Sequence, residues 1–303
     1  MATTVATSNI ASRTAPRGRL AQLGRWELVQ LSAEGALSHV HRARPAESAG
    51  NGPCRYALKR LKPEWEADEA AIGLLRREAV VGTTVQHRSL VPVLDAQVER
   101  APYWVVMPWL EGITLAELLR CGPLDHPVAY WYARQVAEAL EALHAAGWMH
   151  GDVKPSNMIV SPEGHLTLVD LGFARRRGDH RWTLDEGGLG TPQYLAPEAV
   201  TSAVRPDIRS DLYSLGVMLY EMLVGRRPFE AADAAELVRL HRENRPRPLQ
   251  SLVPQVPRAA AELVMSMLAK EPLRRPQTPR EVIDALVSLE VETFAARWSP
   301  ASA

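Results

Sequence analysis

The hydrophobic pattern of the chain changes character near residue 108. Before it, apolar residues come in short alternating runs. Residues 26–44 alternate well enough to predict two strands around a turn at Ala33–Leu37. Residues 45–54 are rich in Pro, Gly, Ser and Asn and predict a flexible hairpin loop. Tyr56–Leu61, Val91–Asp95 and Tyr103–Trp109 read as three further strands. Between them, Ile72, Leu75, Ala79 and Val80 recur at three- and four-residue steps, which predicts a helix over 67–85.

After Pro108 the period becomes helical. Ala129, Ala133, Val136, Leu140 and Leu143 form one stripe, with Pro127 in the first turn and Gly147 as the stop. Met158–Ser161 and Leu166–Val169 then predict a hairpin around Pro162-Glu163-Gly164. Asp211–Leu223 is apolar enough to be a buried helix, and 257–269 and 278–290 predict two more. No internal repeat is visible. The pattern therefore predicts a small strand-rich lobe over 26–107, a hinge at 108–111 and a larger helical lobe over 112–290. Residues 291–303 are left as a C-terminal tail.

Composition narrows the function. Lys plus Arg equals Asp plus Glu at 35 each, so the basic excess of a nucleic-acid surface is missing. The two cysteines, Cys54 and Cys121, are too few for a disulfide framework and lack metal-ligand spacing, which fits a reducing, intracellular setting. No run of about eighteen apolar residues predicts a membrane span. Residues 1–25 carry Arg13, Arg17, Arg19 and Arg25 among many Ser and Thr, with no acid before Glu27. A transit peptide shares that bias, but the expectation is a disordered tail, because such a segment cannot bury enough surface to fold. Of the 35 cations only four are Lys: Lys59, Lys62, Lys154 and Lys270. Where Arg is the default, Lys marks a need for a compact charge. Lys62 and Lys270 nevertheless read as plain surface residues.

Met149–Ile159, M-H-G-D-V-K-P-S-N-M-I, crowds Asp152, Lys154 and Asn157 into six positions just before the hairpin, and L-V-D-L-G-F follows it. Antiparallel strands run out and back, so Asn157 and Asp170 are expected at one end of the pair. An amide carbonyl beside a carboxylate offers hard oxygen ligands of the kind Mg2+ takes alongside waters and phosphate.

At these residues the chain resembles the bacterial-type serine/threonine protein kinases, over about residues 26–290. H-G-D-V-K-P-S-N resembles the family's catalytic loop, D-L-G at 170–172 its D-F-G, and A-P-E at 196–198 matches as it stands. Y-A-L-K at 56–59 resembles V-A-I-K, and Glu78 falls where the family's helical Glu pairs with that Lys. Asp211 resembles the Asp that braces the catalytic loop, and Arg275 the Arg that pairs with the A-P-E Glu, here Glu198. With G-T-P-Q-Y-L before A-P-E, eight motifs in order at plausible spacing make the resemblance specific. It implies an α+β, two-lobed kinase fold with ATP in the cleft.

The resemblance also assigns roles. Lys59 would hold the α- and β-phosphates, oriented by Glu78, and Asn157 and Asp170 would carry Mg2+. Asp152 would accept the proton of the substrate hydroxyl, and Lys154 would neutralise charge on the transferring group. Val40, Ala57 and Ile159 would sandwich adenine. Met107 would be the gatekeeper, within reach of the hinge Pro108–Leu110. The implied reaction is transfer of the γ-phosphoryl group of ATP to Ser or Thr hydroxyls of protein substrates, with autophosphorylation. Membrane-anchored relatives carry a spanning helix after the catalytic segment. None is visible before Ala303, so the expectation is a cytoplasmic protein that binds no nucleic acid, of undetermined oligomeric state.

Two departures keep an alternative open. Where the family has G-x-G-x-x-G-x-V, residues 33–40 read A-E-G-A-L-S-H-V. Only Gly35 remains, which implies weaker nucleotide binding. Gly151 stands where the family's Arg meets an activation-loop phosphate, which puts switching through Thr183 or Thr191 in doubt. The alternative is a pseudokinase serving as a nucleotide-binding or scaffold module. His39 and His41 read as solvent-facing strand residues, Arg175–Arg177 as a solvated face, and Trp104, Trp109, Trp131 and Trp148 as core or lobe-interface residues.

Overall fold

A computed structural model of the chain describes residues 22–48, 52–177, 192–200 and 205–298. The expected sites Thr183 and Thr191, most of the 1–25 tail and the end of the C-terminal tail lie outside the described residues. The chain divides into two compact units. The first takes in the residues up to 86, 91–110 and 170–172; the second takes in 87–90, 111–169 and 173 onward.

The first unit is built on a six-stranded antiparallel sheet. Its strands are β1 (Gln22–Leu23), β2 (Trp26–Glu34), β3 (Ser38–Pro45), β4 (Tyr56–Leu61), β5 (Asp95–Gln97) and β6 (Trp104–Pro108), in the order β1-β2-β3-β4-β6-β5. The sheet begins at Gln22, inside the segment expected as a tail, because Gln22 and Leu23 pair with Glu27 and Trp26 across a tight turn. Leu23, Trp26, Leu28, Ala43, Leu58, Trp104 and Val106 form one buried cluster. Helix α1 (Glu69–Thr84) packs beside β4 and β6. Asp68 caps it by accepting the Ala71 N–H at 2.8 Å.

Two details of this half differ from expectation. Val80 is 49% exposed, and the buried face of α1 runs through Ile72, Leu75, Glu78, Ala79 and Val81. The strand expected at Val91–Asp95 starts only at Asp95. Pro92 has no N–H to offer a ladder. Val91 and Val93 are buried without joining the sheet, and the Val93 N–H is satisfied by Gly82 O at 2.9 Å.

The second unit is helical. In chain order it holds β7 (Ile113–Thr114), α2 (Leu115–Leu119), α3 (His126–Ala145), β8 (Trp148–Met149), β9 (Met158–Val160), β10 (Leu166–Leu168) and β11 (Arg175–Arg176). Helices α4 (Ile208–Val224), α5 (Ala234–Glu243), α6 (Leu249–Leu252), α7 (Arg258–Met267) and α8 (Pro279–Trp298) follow. Strands β10, β9 and β7 form one small sheet, and β11 and β8 pair as another. Helix α4 is buried on nearly every side, which its all-round apolar sequence requires. It packs against α3 and α7, and α3 also packs against α8. Among the described residues no helix is long and apolar enough to cross a membrane.

Candidate active site

The first unit presents a sheet face on which apolar residues surround Lys59. On β4, Ala57 lies opposite Met107 of β6, and Lys59 lies opposite Val40 of β3. Residues two apart on a strand and their cross-strand partners share a face. Val40, Ala57, Lys59 and Met107 therefore line one side of the sheet. Leu110 is the last residue of this unit before the chain crosses into the other. Gly35 sits in the β2–β3 turn.

Lys59 is held from two directions. Its Nζ lies 2.7 Å from Glu78 Oε2 on α1 and 2.7 Å from Asp170 Oδ1. Burial alone would push the Lys59 pKa down, but the two carboxylates outweigh it and hold the ammonium above the usual lysine range. Burial pushes the Glu78 carboxyl up, and Lys59 offsets part of that rise. Asp170 has a φ of 66°, a left-handed conformation that Asp tolerates better than most residues. Beside it, Arg77 Nη1 donates to Gly172 O at 2.9 Å, so α1 grips the D-L-G turn at a further point.

The second unit holds the expected catalytic loop, at residues 150–157. Lys154 Nζ lies 2.6 Å from Asp152 Oδ2. Asn157 Nδ2 donates to the same oxygen at 3.0 Å and to Asp152 O at 2.9 Å. All three side chains are buried. The loop is fixed from beneath by Asp211 near the start of α4, which accepts His150 N–H at 2.6 Å and Gly151 N–H at 2.8 Å. Burial pushes the Asp211 carboxyl up to about 7, while those two N–H groups favour its ionised form. His150 Nδ1 accepts Asp152 N–H at 3.2 Å, which assigns the ring proton to Nε2, 3.3 Å from Val169 O. The Val169 N–H in turn donates to Asn157 O at 2.9 Å. Ile159 follows on β9.

Glu198 and Arg275 form a buried bidentate pair, Nη1–Oε1 at 2.6 Å and Nη2–Oε2 at 2.8 Å. The remaining Arg275 donors reach Ala269 O, Arg209 O and Lys270 O, so all five N–H groups are satisfied. A protein kinase domain family model matches residues 28–286. The chain belongs to the protein kinase family.

This kinase domain is 31% identical over 272 residues to a probable serine/threonine-protein kinase of Clostridium perfringens, covering 88% of this chain and 38% of that protein. It is 27% identical over 260 residues to the serine/threonine-protein kinase PrkC of Bacillus subtilis (86% and 39%). Against the serine/threonine-protein kinase PknD of Mycobacterium tuberculosis it is 31% identical over 256 residues (84% and 38%). The chain thus spans under two-fifths of the length of these relatives.

Several residues of the kinase domain are placed differently from their sequence reading. Lys62 is not a plain surface residue: its side chain is 12% exposed and pairs with Glu34. Lys270 lies with Nζ 4.3 Å from the Phe229 ring centroid and 2.6 Å from His241 O, and burial brings its pKa down to about 8. Trp131 is an exposed residue whose indole donates to Gly164 O. His39 and His41 are half-buried, and His41 Nδ1 has no partner among the described residues. Arg175–Arg176 pairs with β8 as a strand, with Arg176 over Trp148, while Arg176 and Arg177 stay exposed as the solvated-face reading expects. The Arg77 contact was not foreseen. Its only sequence signal was its place beside Glu78.

Proposed function

We propose that this domain transfers the γ-phosphoryl group of ATP to Ser or Thr hydroxyls of protein substrates. The observation that carries the reading is Lys59, bound at once to Glu78 and Asp170. Phosphoryl transfer needs positioned charge more than a protein nucleophile, and in kinases that Lys–Glu pair and the D-F-G Asp must both be in place. The residues suit Mg-ATP. Both Asn157 contacts with Asp152 are made by Nδ2, which leaves Oδ1 as the amide's ligand atom. An amide oxygen and the Asp170 carboxylate are hard donors. Bound Mg-ATP would supply the phosphoryl group and the charge that offsets its oxygens.

The protein's own share is positioning and proton handling. Lys59 binds the phosphates, and Glu78 orients it. Asp152 takes the proton from the substrate hydroxyl. Its Oδ2 is fixed by Lys154 and Asn157, which sets the plane of the carboxylate. Lys154 brings a positive charge to the reacting centre. The departures in the phosphate loop do not favour the scaffold alternative. Ala33 and Ser38 both lie in strands, and neither has a positive φ. Gly151 offers no guanidinium to an activation-loop phosphate, so this reading makes no use of such a switch. It leaves the domain a cytoplasmic enzyme whose partners are its protein substrates.

The test is transfer of label from Mg-ATP to the protein itself and to a generic basic protein, beside Asp152→Asn. Labelled Ser or Thr is expected in the wild type, with a loss of about 10²-fold or more in the variant. Thermal stabilisation by nucleotide should survive the substitution, at about 2.7 kcal/mol for a ligand at 100 times its Kd. No label and no stabilisation in either protein would replace the enzyme with a scaffold.

A further inference from the structure

The β2–β3 turn has lost two of the family's three glycines, yet it is pinned to its sheet by one of the chain's four lysines. Lys62 follows the last residue of β4. Its backbone N–H donates to Leu37 O at 2.9 Å, and its own carbonyl accepts Trp65 N–H at 2.9 Å. With the main chain held on both sides, the side chain crosses β3 to reach the end of β2, where Nζ lies 2.8 Å from Glu34 Oε1. The same oxygen is 3.4 Å from His39 Nε2, on the residue opposite Glu34 in the β2–β3 ladder. The bond from Lys62 is the main cause of a lowered Glu34 pKa, with His39 adding to it.

The turn itself is ordinary. Gly35 N–H donates to Ser38 O at 2.8 Å. Gly35 has no positive φ, and a Cβ there would meet Ser38 O at 3.5 Å, a normal contact. Beyond that closing bond, the turn is held from outside it. The holding groups are Lys62 N–H beneath Leu37 and Lys62 Nζ at Glu34.

We propose that Lys62 is a positioning residue for nucleotide phosphate, acting through Glu34 and Leu37 to keep residues 34–38 in one conformation. This rests on the phosphotransfer reading above. A fixed turn presents its N–H groups without an ordering cost at binding. A compact ammonium, buried along its stem and reaching one carboxylate oxygen, suits the role better than a forked guanidinium. The presence of Lys in a chain that otherwise uses Arg is consistent with that need.

The experiment uses the full chain and two ligands, Mg-ADP and adenosine, titrated calorimetrically. Lys62→Met and Glu34→Gln are each expected to weaken Mg-ADP about threefold, the scale of one partly exposed ion pair. Neither should change adenosine affinity, since adenosine has no phosphate. The double variant should be no worse than Glu34→Gln alone, because the Lys62–Glu34 ion pair is already lost there. Hydrogen exchange without ligand should be faster at amides 35–38 in both variants. Unchanged Mg-ADP affinity, additive losses, or an equal loss for adenosine would each overturn the proposal. A wild-type protein that binds neither ligand would instead overturn the phosphotransfer reading itself.

Discussion

Gly151 stands at φ +79°, and a Cβ built on it would lie 2.6 Å from Phe173 O. Its N–H is also one of the two that Asp211 accepts. A side chain at this position must therefore pay for a left-handed backbone and displace a carbonyl. Gly151→Ala is expected to destabilise the protein by at least about 1–2 kcal/mol, the left-handed cost alone, read as a lowered urea midpoint with an unchanged slope. A wild-type midpoint would show that the loop relaxes freely. The sequence reading weighed Gly151 by the Arg it lacks. The backbone conformation was invisible there, because a lone glycine between His and Asp carries no turn signature. Lys59, Glu78, Asp152, Asn157 and Asp170 were legible for the opposite reason: their chemistry fixes both type and spacing. Lys62 was half legible. Its rarity was plain, but the partner that explains it, Glu34, is 28 positions away in the chain.

At the scale of elements, the Arg275–Glu198 pair joins three segments: the A-P-E turn, the first turn of α4 and the stretch that follows α7. Ser210 Oγ adds a bond to Glu198 Oε1 at 2.6 Å. Both side chains are buried, so removing one partner strands the other without water. Arg275→Met should cost about 3–5 kcal/mol, seen as a lower thermal midpoint. Arg275→Lys should recover little of it, since one ammonium cannot replace five fixed donors. Full recovery would mean that charge alone, not the fork, holds these segments. The elements that carry such contacts were mostly readable. Strand β4 was read at its observed bounds, and α4 stood out by its long, mostly apolar run. Helix α5 was missed although Leu237, Leu240 and His241 recur at three- and four-residue steps; the helix is only ten residues long, and charged residues fill most of its other positions. Helix α2, at five residues, is too short for a period. Helix α8 runs past residue 290 to Trp298, yet Val291 and Phe294 are 63% and 65% exposed, so no burial pattern announces the extension.

For the whole molecule, the acid limb of stability is set in part by one hidden imidazole. His241 is buried, with the Tyr213 hydroxyl of α4 2.8 Å from Nδ1 and the Phe229 ring 5.0 Å from its own. Burial, followed by the charge of Lys270, pushes its pKa down to about 4; Arg227 acts in the same direction and the Gln193 main chain opposes them. In the unfolded chain the ring takes up a proton near pH 6.5. Between about 6.5 and 4 the unfolded state therefore binds more protons than the folded one, and stability falls as pH falls through that window. The slope from this one group is at most about 1.4 kcal/mol per pH unit. Lys270, brought down to about 8 by burial and by Arg275, gives the same sign higher up: stability rises with pH from about 8 towards 10.5. Urea melts at pH 4.5, 5.5, 6.5 and 7.5 separate the imidazole from the carboxylates that titrate nearby. His241→Gln removes the titrating group while leaving the carboxylates in place. Its stability should decline less steeply than the wild type's between pH 6.5 and 4.5, whatever its absolute value. Parallel declines would place the acid sensitivity elsewhere, and would mean that water or a shifted Gln193 lets His241 take its proton inside the fold.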